Sequence, residues 1–152
     1  MPLPRRSVIG LLALAPAVTF FGLPASAAEP ETFQVDGLAI RGIDPVGYFT
    51  DGQPVTGSPD HSLRYRGALW RFASAANMAT FESDPGKYGA RFGGYCAYAA
   101  SKGYLAPTVP EAWTVYEDRL YLNANLRARE LWLQDIPGNI ALGEANWPGI
   151  LG

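Results

Sequence analysis

Residues 61–85, HSLRYRGALWRFASAANMATFESDP, pass from the periodicity of a β-strand to the composition of a helix within a few positions. Apolar and charged side chains alternate in HSLRYRG and again in ALWRFAS, and the pair Arg66-Gly67 between them favours a turn. Ser74 follows at a position suited to a helix N-cap, because its hydroxyl can accept a hydrogen bond from a free backbone N–H of the first turn. Pro85 ends the helix, since proline disfavours the helical conformation in the residue before it. These residues therefore predict a β-hairpin that leads directly into a short helix.

Two more hairpins are predicted, one on each side of residues 61–85. Asp36-Gly37 is a turn-forming pair between short apolar runs, and Glu117–Arg119 lies between two further runs of this kind. Proline, glycine and aspartate are frequent between the first hairpin and the second. That composition predicts a loop with one helical turn at Pro45–Phe49.

Helix signals dominate the second half of the chain. YCAYAASKG, at 95–103, has helical composition and ends on Gly103, which suits a helix C-cap. LRARELWLQDI and PGNIALGEANWPGIL follow, with Pro137 at a helix start and Pro148 as a stop. Hairpins mixed with short helices indicate an α+β fold and not a parallel βαβ sheet. No repeat or low-complexity linker is present, so we expect a single domain over residues 28–152.

Residues 1–27 have the layout of an export signal. Arg5 and Arg6 precede an uncharged apolar run, and Ala25-Ser26-Ala27 matches a small-residue cleavage site. Prolines and a glycine interrupt the run, so we do not expect it to span a membrane. The arginine pair looks like a twin-arginine signal, and a general secretory signal is the alternative. We expect a periplasmic or secreted protein that does not associate with the membrane after the signal is removed.

The charge balance argues against nucleic acid as a partner. The formal net charge is −2, and loss of the two arginines of the predicted signal would make it −4. Lysines and arginines form no long block, so the electrostatic footprint of a nucleic-acid-binding surface is missing. The single cysteine, Cys96, excludes an internal disulfide. We therefore expect the fold to depend on its apolar and aromatic core.

Several segments occur together in the order that is typical of one family. They read RGIDPVGYFTDGQPVTG, GALWRFASAANMATFESDPGKY, FGGYCAYAASKGY and LYLN, followed by a Trp-Pro pair. From Gly42 to Trp147 the chain resembles the YHS-domain family, in particular its exported single-domain members. The wider family is associated with the binding of transition metals through cysteines. The resemblance therefore implies a binding protein that handles a metal such as copper.

The positions of those cysteines are changed in this chain. In metal-binding members the first motif resembles Asp-Pro-Val-Cys, and the step from strand to helix resembles Phe-Cys-Ser-x-x-Cys. At the three cysteine positions this chain has Gly47, Ala73 and Asn77. Glycine and alanine have no ligand atom, and an amide oxygen is a poor ligand for a soft metal. The resemblance thus carries over the fold but not the metal site of those members.

Outside the predicted signal, the soft-ligand side chains are Cys96, His61 and Met78. A closed zinc site needs four Cys or His ligands, and a blue-copper site needs two histidines and a cysteine. These three residues leave only a low-coordinate copper site or a site shared across a dimer. Cys96 is the first candidate ligand, followed by His61 and Met78.

Three interpretations of Cys96 are compatible with the sequence. It is a buried core residue, a metal or redox ligand, or a catalytic thiol with His61 as its base. We predict a non-enzymatic exported binding protein, with copper held through Cys96 as the first hypothesis. The alternatives are a metal-free structural or interaction module and a Cys96–His61 enzyme.

Two other residue sets have simpler expected roles. Asp44 is expected to be a turn or cap residue, since Asp-Pro favours the start of a turn. The tyrosines that surround the Gly93-Gly94 pair are expected to belong to the core, with a pocket as the alternative; they are Tyr88, Tyr95, Tyr98 and Tyr104.

Overall fold

The computed structural model describes residues 15–19, 22 and 28–152. The predicted arginine pair, Arg5-Arg6, and the predicted cleavage site at Ala27 lie outside the described residues. From residue 28 onward the chain forms a single α+β domain, as the sequence predicts. No helix in the described part of the chain has the length and apolar character needed to cross a membrane.

Short strands and helices alternate along the domain. The strands are β1 (Gln34–Val35), β2 (Leu38–Ala39), β3 (Ser58–Tyr65), β4 (Ala68–Phe72), β5 (Trp113–Tyr116) and β6 (Arg119–Leu122). The helices are α1 (Gly47–Thr50), α2 (Ala75–Ser83), α3 (Pro85–Tyr88), α4 (Ala97–Lys102), α5 (Leu126–Leu133) and α6 (Ile136–Asn146). Short 3₁₀ helices cover Ile40–Gly42, Arg91–Gly94 and Gly149–Leu151.

The predicted hairpins are confirmed, and each closes through two residues with positive φ. These turn pairs are Asp36-Gly37, Arg66-Gly67 and Glu117-Asp118. Their backbone matches the type I′ turn, whose twist suits two antiparallel strands. Arg119, which the sequence places in the last turn, is instead the first residue of β6.

The first sheet has the strand order β1-β2-β4-β3, and the hairpin β5-β6 forms a second sheet. Strand β2 pairs with β4 in parallel, with Leu38 opposite Leu69. This pairing brings the first hairpin against the second, and it places β3 at an edge of the sheet.

Side-chain caps fix the helix starts. The Ser74 hydroxyl accepts from the backbone N–H of Asn77, as predicted, and Asn125 and Asp135 cap α5 and α6 in the same way. Gly103, with φ of 89°, ends α4. Such caps replace hydrogen bonds that the first and last turns cannot make internally.

The core has two parts. The first lies between the larger sheet, α2 and β6, and its largest buried side chains include Trp70, Phe72 and Phe81. The second lies around α4, α5 and β6 and includes Phe92, Tyr121 and Trp132.

The two ends of the domain meet. The backbone N–H of Glu29 donates to the carbonyl of Leu151 at 2.8 Å.

Candidate functional site

Asp44 lies at the centre of a buried polar cluster beside α1. Its side chain is fully buried, and Oδ1 accepts from the backbone N–H of Val46 at 2.8 Å. Oδ2 accepts from the backbone N–H of Ala73 and from Nδ2 of Asn77, both at 2.8 Å. All of these partners are donors, which matches the acceptor-only character of a carboxylate. We call Asp44 with these partners the Asp44 cluster; it combines the predicted turn role of Asp44 with a long-range contact that the sequence does not reveal.

The Asp44 cluster joins the segments in which the resemblance places metal-binding cysteines. Ala73 and Asn77 are direct partners of the carboxylate, and Gly47 begins the adjacent helix. A Cβ atom at Gly47 would lie 2.7 Å from Cγ2 of Val55, which is closer than such atoms normally approach. A cysteine at position 47 would therefore require Val55 to move.

Cys96 is buried and serves as the N-cap of α4. It is only 2% exposed, and its Sγ accepts from the backbone N–H of Ala99 at 3.4 Å. The thiol also donates to Oδ1 of Asn123 at 3.4 Å. Its backbone N–H donates to the carbonyl of Ala106. The chemistry of a reactive thiol requires access to solvent or reagent, and this side chain lacks it.

Asn123 connects Cys96 to β6. It is fully buried, and its Oδ1 accepts from the backbone N–H of Tyr98 at 3.0 Å in addition to the Cys96 thiol. Its Nδ2 has no hydrogen-bond partner in the described part of the chain. We call Cys96, Asn123 and the backbone N–H groups of Tyr98 and Ala99 the Cys96–Asn123 cluster.

The other two predicted ligands lie on separate elements. His61 is half-buried on the edge strand β3, next to an irregularity in its pairing with β4. Met78 is half-buried on α2 and packs against the first part of the core. Neither side chain is a hydrogen-bond partner of Cys96. Within the described residues, no group of three or more His, Cys, Asp or Glu side chains is arranged to hold a metal ion.

The tyrosines near Gly93-Gly94 have different surroundings. Tyr88 packs edge-on against Phe49, and the ammonium of Lys102 lies over the Tyr98 ring. Tyr104 is 54% exposed.

Tyr95 is buried, donates to the carbonyl of Pro30, and lines a cavity of about 350 Å³. Burial raises the pKa of Tyr95, and the nearby charge of Glu29 adds to this effect.

A second cavity, of about 310 Å³, lies between Arg66 and Arg91, and we call it the arginine cavity. Its aromatic lining consists of Tyr65, Trp70, Phe92 and Trp147, and Glu144 is its acidic lining residue. The lining residues are far apart in sequence, because the cavity forms where the second hairpin, α3, the 3₁₀ turn at Arg91–Gly94 and the end of α6 meet.

An unusual backbone conformation forms one wall of the arginine cavity. Phe92 has φ of 56° and ψ of 36°, a left-handed conformation that is strained for an aromatic residue. Gly93 follows with φ of 62°, and a Cβ there would collide with the carbonyl oxygen of Glu31. Backbone strain of this kind is concentrated at functional sites in proteins. In this region the sequence offers only one signal, the Gly93-Gly94 pair. That Arg66 and Arg91 line the same cavity depends on the tertiary fold.

Comparison with protein-family models, with curated proteins and with solved structures finds no match to this chain.

Proposed function

We propose that this chain is an exported YHS-type binding module that recognises its ligand without a soft-metal site. Its family membership and its export rest on the sequence resemblance and on the predicted signal. The observation that carries the metal-free part of the proposal is the Asp44 cluster, which occupies the region where the resemblance places cysteine ligands.

The Asp44 cluster supports this proposal because its side-chain oxygens already have partners. Each of the three hydrogen bonds is 2.8 Å long, the length of a charge-assisted bond. The carboxylate is also fully buried, so a metal ion could reach it only if the surrounding structure moved. The packing of Val55 against Gly47 gives further support, because a ligand side chain at residue 47 would require Val55 to move.

The surroundings of Cys96 favour a structural role for its thiol. A copper(I) ligand must present its sulfur to the metal, whereas Sγ of Cys96 is engaged by Asn123 and by the first turn of α4. His61 lies on β3 and Met78 on α2, and no group of three or more His, Cys, Asp or Glu side chains in the described part of the chain is arranged to hold a metal ion. Copper binding through Cys96 is the competing hypothesis, and it requires this local structure to open.

A copper(I) competition assay against a chromophoric chelator decides between the two. The full chain and its Cys96→Ala and Cys96→Ser variants are purified from copper-replete cells and analysed for metal. We expect no stoichiometric copper and equally weak competition by all three proteins. Retention of one equivalent by the wild type and its loss in Cys96→Ala would reject the proposal in favour of the copper hypothesis.

The native thiol provides an independent test. We expect Cys96 to be inert to an aromatic disulfide reagent in the folded protein and to react once the protein is unfolded, because buried thiols are inert. Rapid reaction in native buffer would contradict the structural role of Cys96.

A further inference from the structure

We propose that the arginine cavity binds a small monocarboxylate with a planar apolar body. This inference rests on the proposed function as a binding module and names the class of ligand that the module takes. It is carried by the cavity, by the charge of its lining and by the strained wall at Phe92.

The volume of the cavity suits a small ligand. Binding sites for small molecules commonly measure about 300–1,000 Å³, and the arginine cavity, at about 310 Å³, lies at the lower end of that range. A single ring with one polar substituent is the appropriate size. A dinucleotide or a polymer segment is too large for it.

The aromatic lining favours a planar apolar body. Trp70 and Phe92 are almost fully buried, one in each part of the core, and both line the cavity. Tyr65 and Trp147 are half-buried, and each contributes to the lining of the cavity. Offset stacking and edge-to-face packing of rings contribute free energy beyond the burial of apolar area.

The two arginines favour a carboxylate. A guanidinium has five N–H donors in a planar fork that matches the two oxygens of a carboxylate. Arg66 contacts Glu31 at 3.5 Å, and Arg91 contacts Glu144 at 3.5 Å. These ion pairs are long and solvent-exposed, and such pairs contribute little stability. Each guanidinium therefore has donors to offer to a ligand.

The charge of the lining favours a monoanion over a dianion. Arg66 and Arg91 supply two positive charges, which Glu144 in the lining and Glu31 beside Arg66 balance before a ligand binds. A carboxylate adds a single negative charge, and the two guanidinium groups offer it hydrogen-bond donors. A phosphate monoester would bring a second negative charge close to Glu144, and like charges at short range repel.

The strained wall agrees with a ligand-binding role. The left-handed Phe92 and the close approach of Gly93 to Glu31 constrain the backbone that follows Arg91, whereas the Arg91 side chain is partly exposed. A constrained wall of this kind keeps the shape of the cavity before the ligand arrives. Preorganisation reduces the entropic cost of binding.

The test is a titration of the full chain with benzoate, followed by NMR of the indole N–H groups. The protein has four tryptophans, of which Trp70 and Trp147 line the cavity. We expect saturable shifts at these two indoles and unchanged signals from Trp113 and Trp132. The absence of shifts at millimolar benzoate, or shifts of equal size at all four indoles, would overturn the proposal.

Neutral and dianionic probes test the assigned charge. Benzamide has the shape of benzoate without its charge, and we expect it to bind about tenfold more weakly or worse, because charge-assisted hydrogen bonds are lost. Phenyl phosphate is expected to bind more weakly than benzoate. Equal binding of benzamide, or tighter binding of phenyl phosphate, would overturn the assignment to a monocarboxylate.

Matched variants identify the binding groups. Arg91→Gln and Arg66→Gln should each weaken benzoate binding about tenfold, and both should fold because these side chains are partly exposed. Arg127→Gln is the control, since Arg127 is an exposed arginine that is paired with Glu130 on α5. Unchanged affinity in both cavity variants would overturn the proposal. Should the copper assay instead reveal a metal at Cys96, benzoate binding would still be measurable, so the two proposals fail separately.

Discussion

The two buried polar clusters stabilise different parts of the core and differ in how well their groups are satisfied. In the Asp44 cluster, a carboxylate accepts three short hydrogen bonds from backbone and amide donors. In the Cys96–Asn123 cluster, two of the bonds involve sulfur at 3.4 Å, and Nδ2 of Asn123 has no partner in the described residues. Bonds to a charged group are stronger than neutral ones, and an unpaired buried donor is costly. The difference indicates that the Asp44 cluster is the stronger link between distant segments.

Removal of the Asp44 carboxylate should have the largest effect. Asp44→Ala leaves three donors without their acceptor, and we expect the free energy of unfolding to fall by about 3 kcal/mol or more. Urea denaturation followed by tryptophan fluorescence measures this loss. Asp51→Ala, at an exposed position just after α1, is the control and should change stability by less than about 0.5 kcal/mol. A similar, small effect for both variants would remove the distinction between the two clusters.

Loss of the Asn123 side chain should have the second largest effect. Asn123→Ala deprives the backbone N–H of Tyr98 of its acceptor, and we expect a loss of about 2 kcal/mol. The same urea titration compares it directly with Asp44→Ala. Asn125→Ala, which removes an exposed N-cap on the next helix, is the matched control and should cost about 1 kcal/mol. A loss larger than that of Asp44→Ala would reverse the comparison.

The buried Tyr48 hydroxyl, on the helix beside Asp44, makes the first region sensitive to alkaline pH. Burial, with a smaller contribution from Glu111, raises the pKa of Tyr48 above its ordinary value of 10.0. The unfolded chain therefore loses this proton first as the pH rises. The corresponding stability is fully present below about pH 10 and decreases above it by up to about 1.4 kcal/mol per pH unit.

Tyr48→Phe removes the titrating hydroxyl and so isolates its contribution to the free energy of unfolding. The variant loses the hydrogen bond to the carbonyl of Pro110, so it should be about 1 kcal/mol less stable than the wild type at neutral pH. The difference should narrow above pH 10, because phenylalanine does not titrate. Stability curves measured at both pH values test this, and a constant difference would contradict the role of Tyr48 burial.

The smallest predicted effects are at Cys96. Serine is a favourable N-cap residue, and its hydroxyl can replace both hydrogen bonds of the thiol. We expect Cys96→Ser to stay within about 1 kcal/mol of the wild type and Cys96→Ala to be the less stable of the two. Thermal unfolding of both variants provides the measurement. The reverse order would indicate that Cys96 contributes as an apolar side chain and not as a cap.

The features that the sequence predicted have local causes. The turn pair Asp36-Gly37, the cap at Ser74 and the end of α4 at Gly103 each depend on the conformational preferences of a few neighbouring residues. The α+β class follows from the same signals, because hairpins and short helices alternate along the chain.

The remaining features depend on contacts between distant residues. Nothing near Leu38 indicates its parallel pairing with Leu69, and nothing near Asp44 indicates that its carboxylate reaches Ala73 and Asn77. The arginine cavity depends even more on contacts between distant residues, because its lining residues range from Thr32 to Trp147. Alternation and capping rules describe single segments, and they carry no information on which segments meet.

The hydrogen bond between Glu29 and Leu151 makes the domain suitable for circular permutation. Since the ends of the domain are adjacent, a short linker could join them without disturbing the core. New ends could then be opened between Gly52 and Gln53, which are exposed and follow α1. Circular permutation succeeds mainly at exposed loops of this kind. A permuted chain would keep both polar clusters while reversing the order in which residues 44 and 73 to 77 are synthesised.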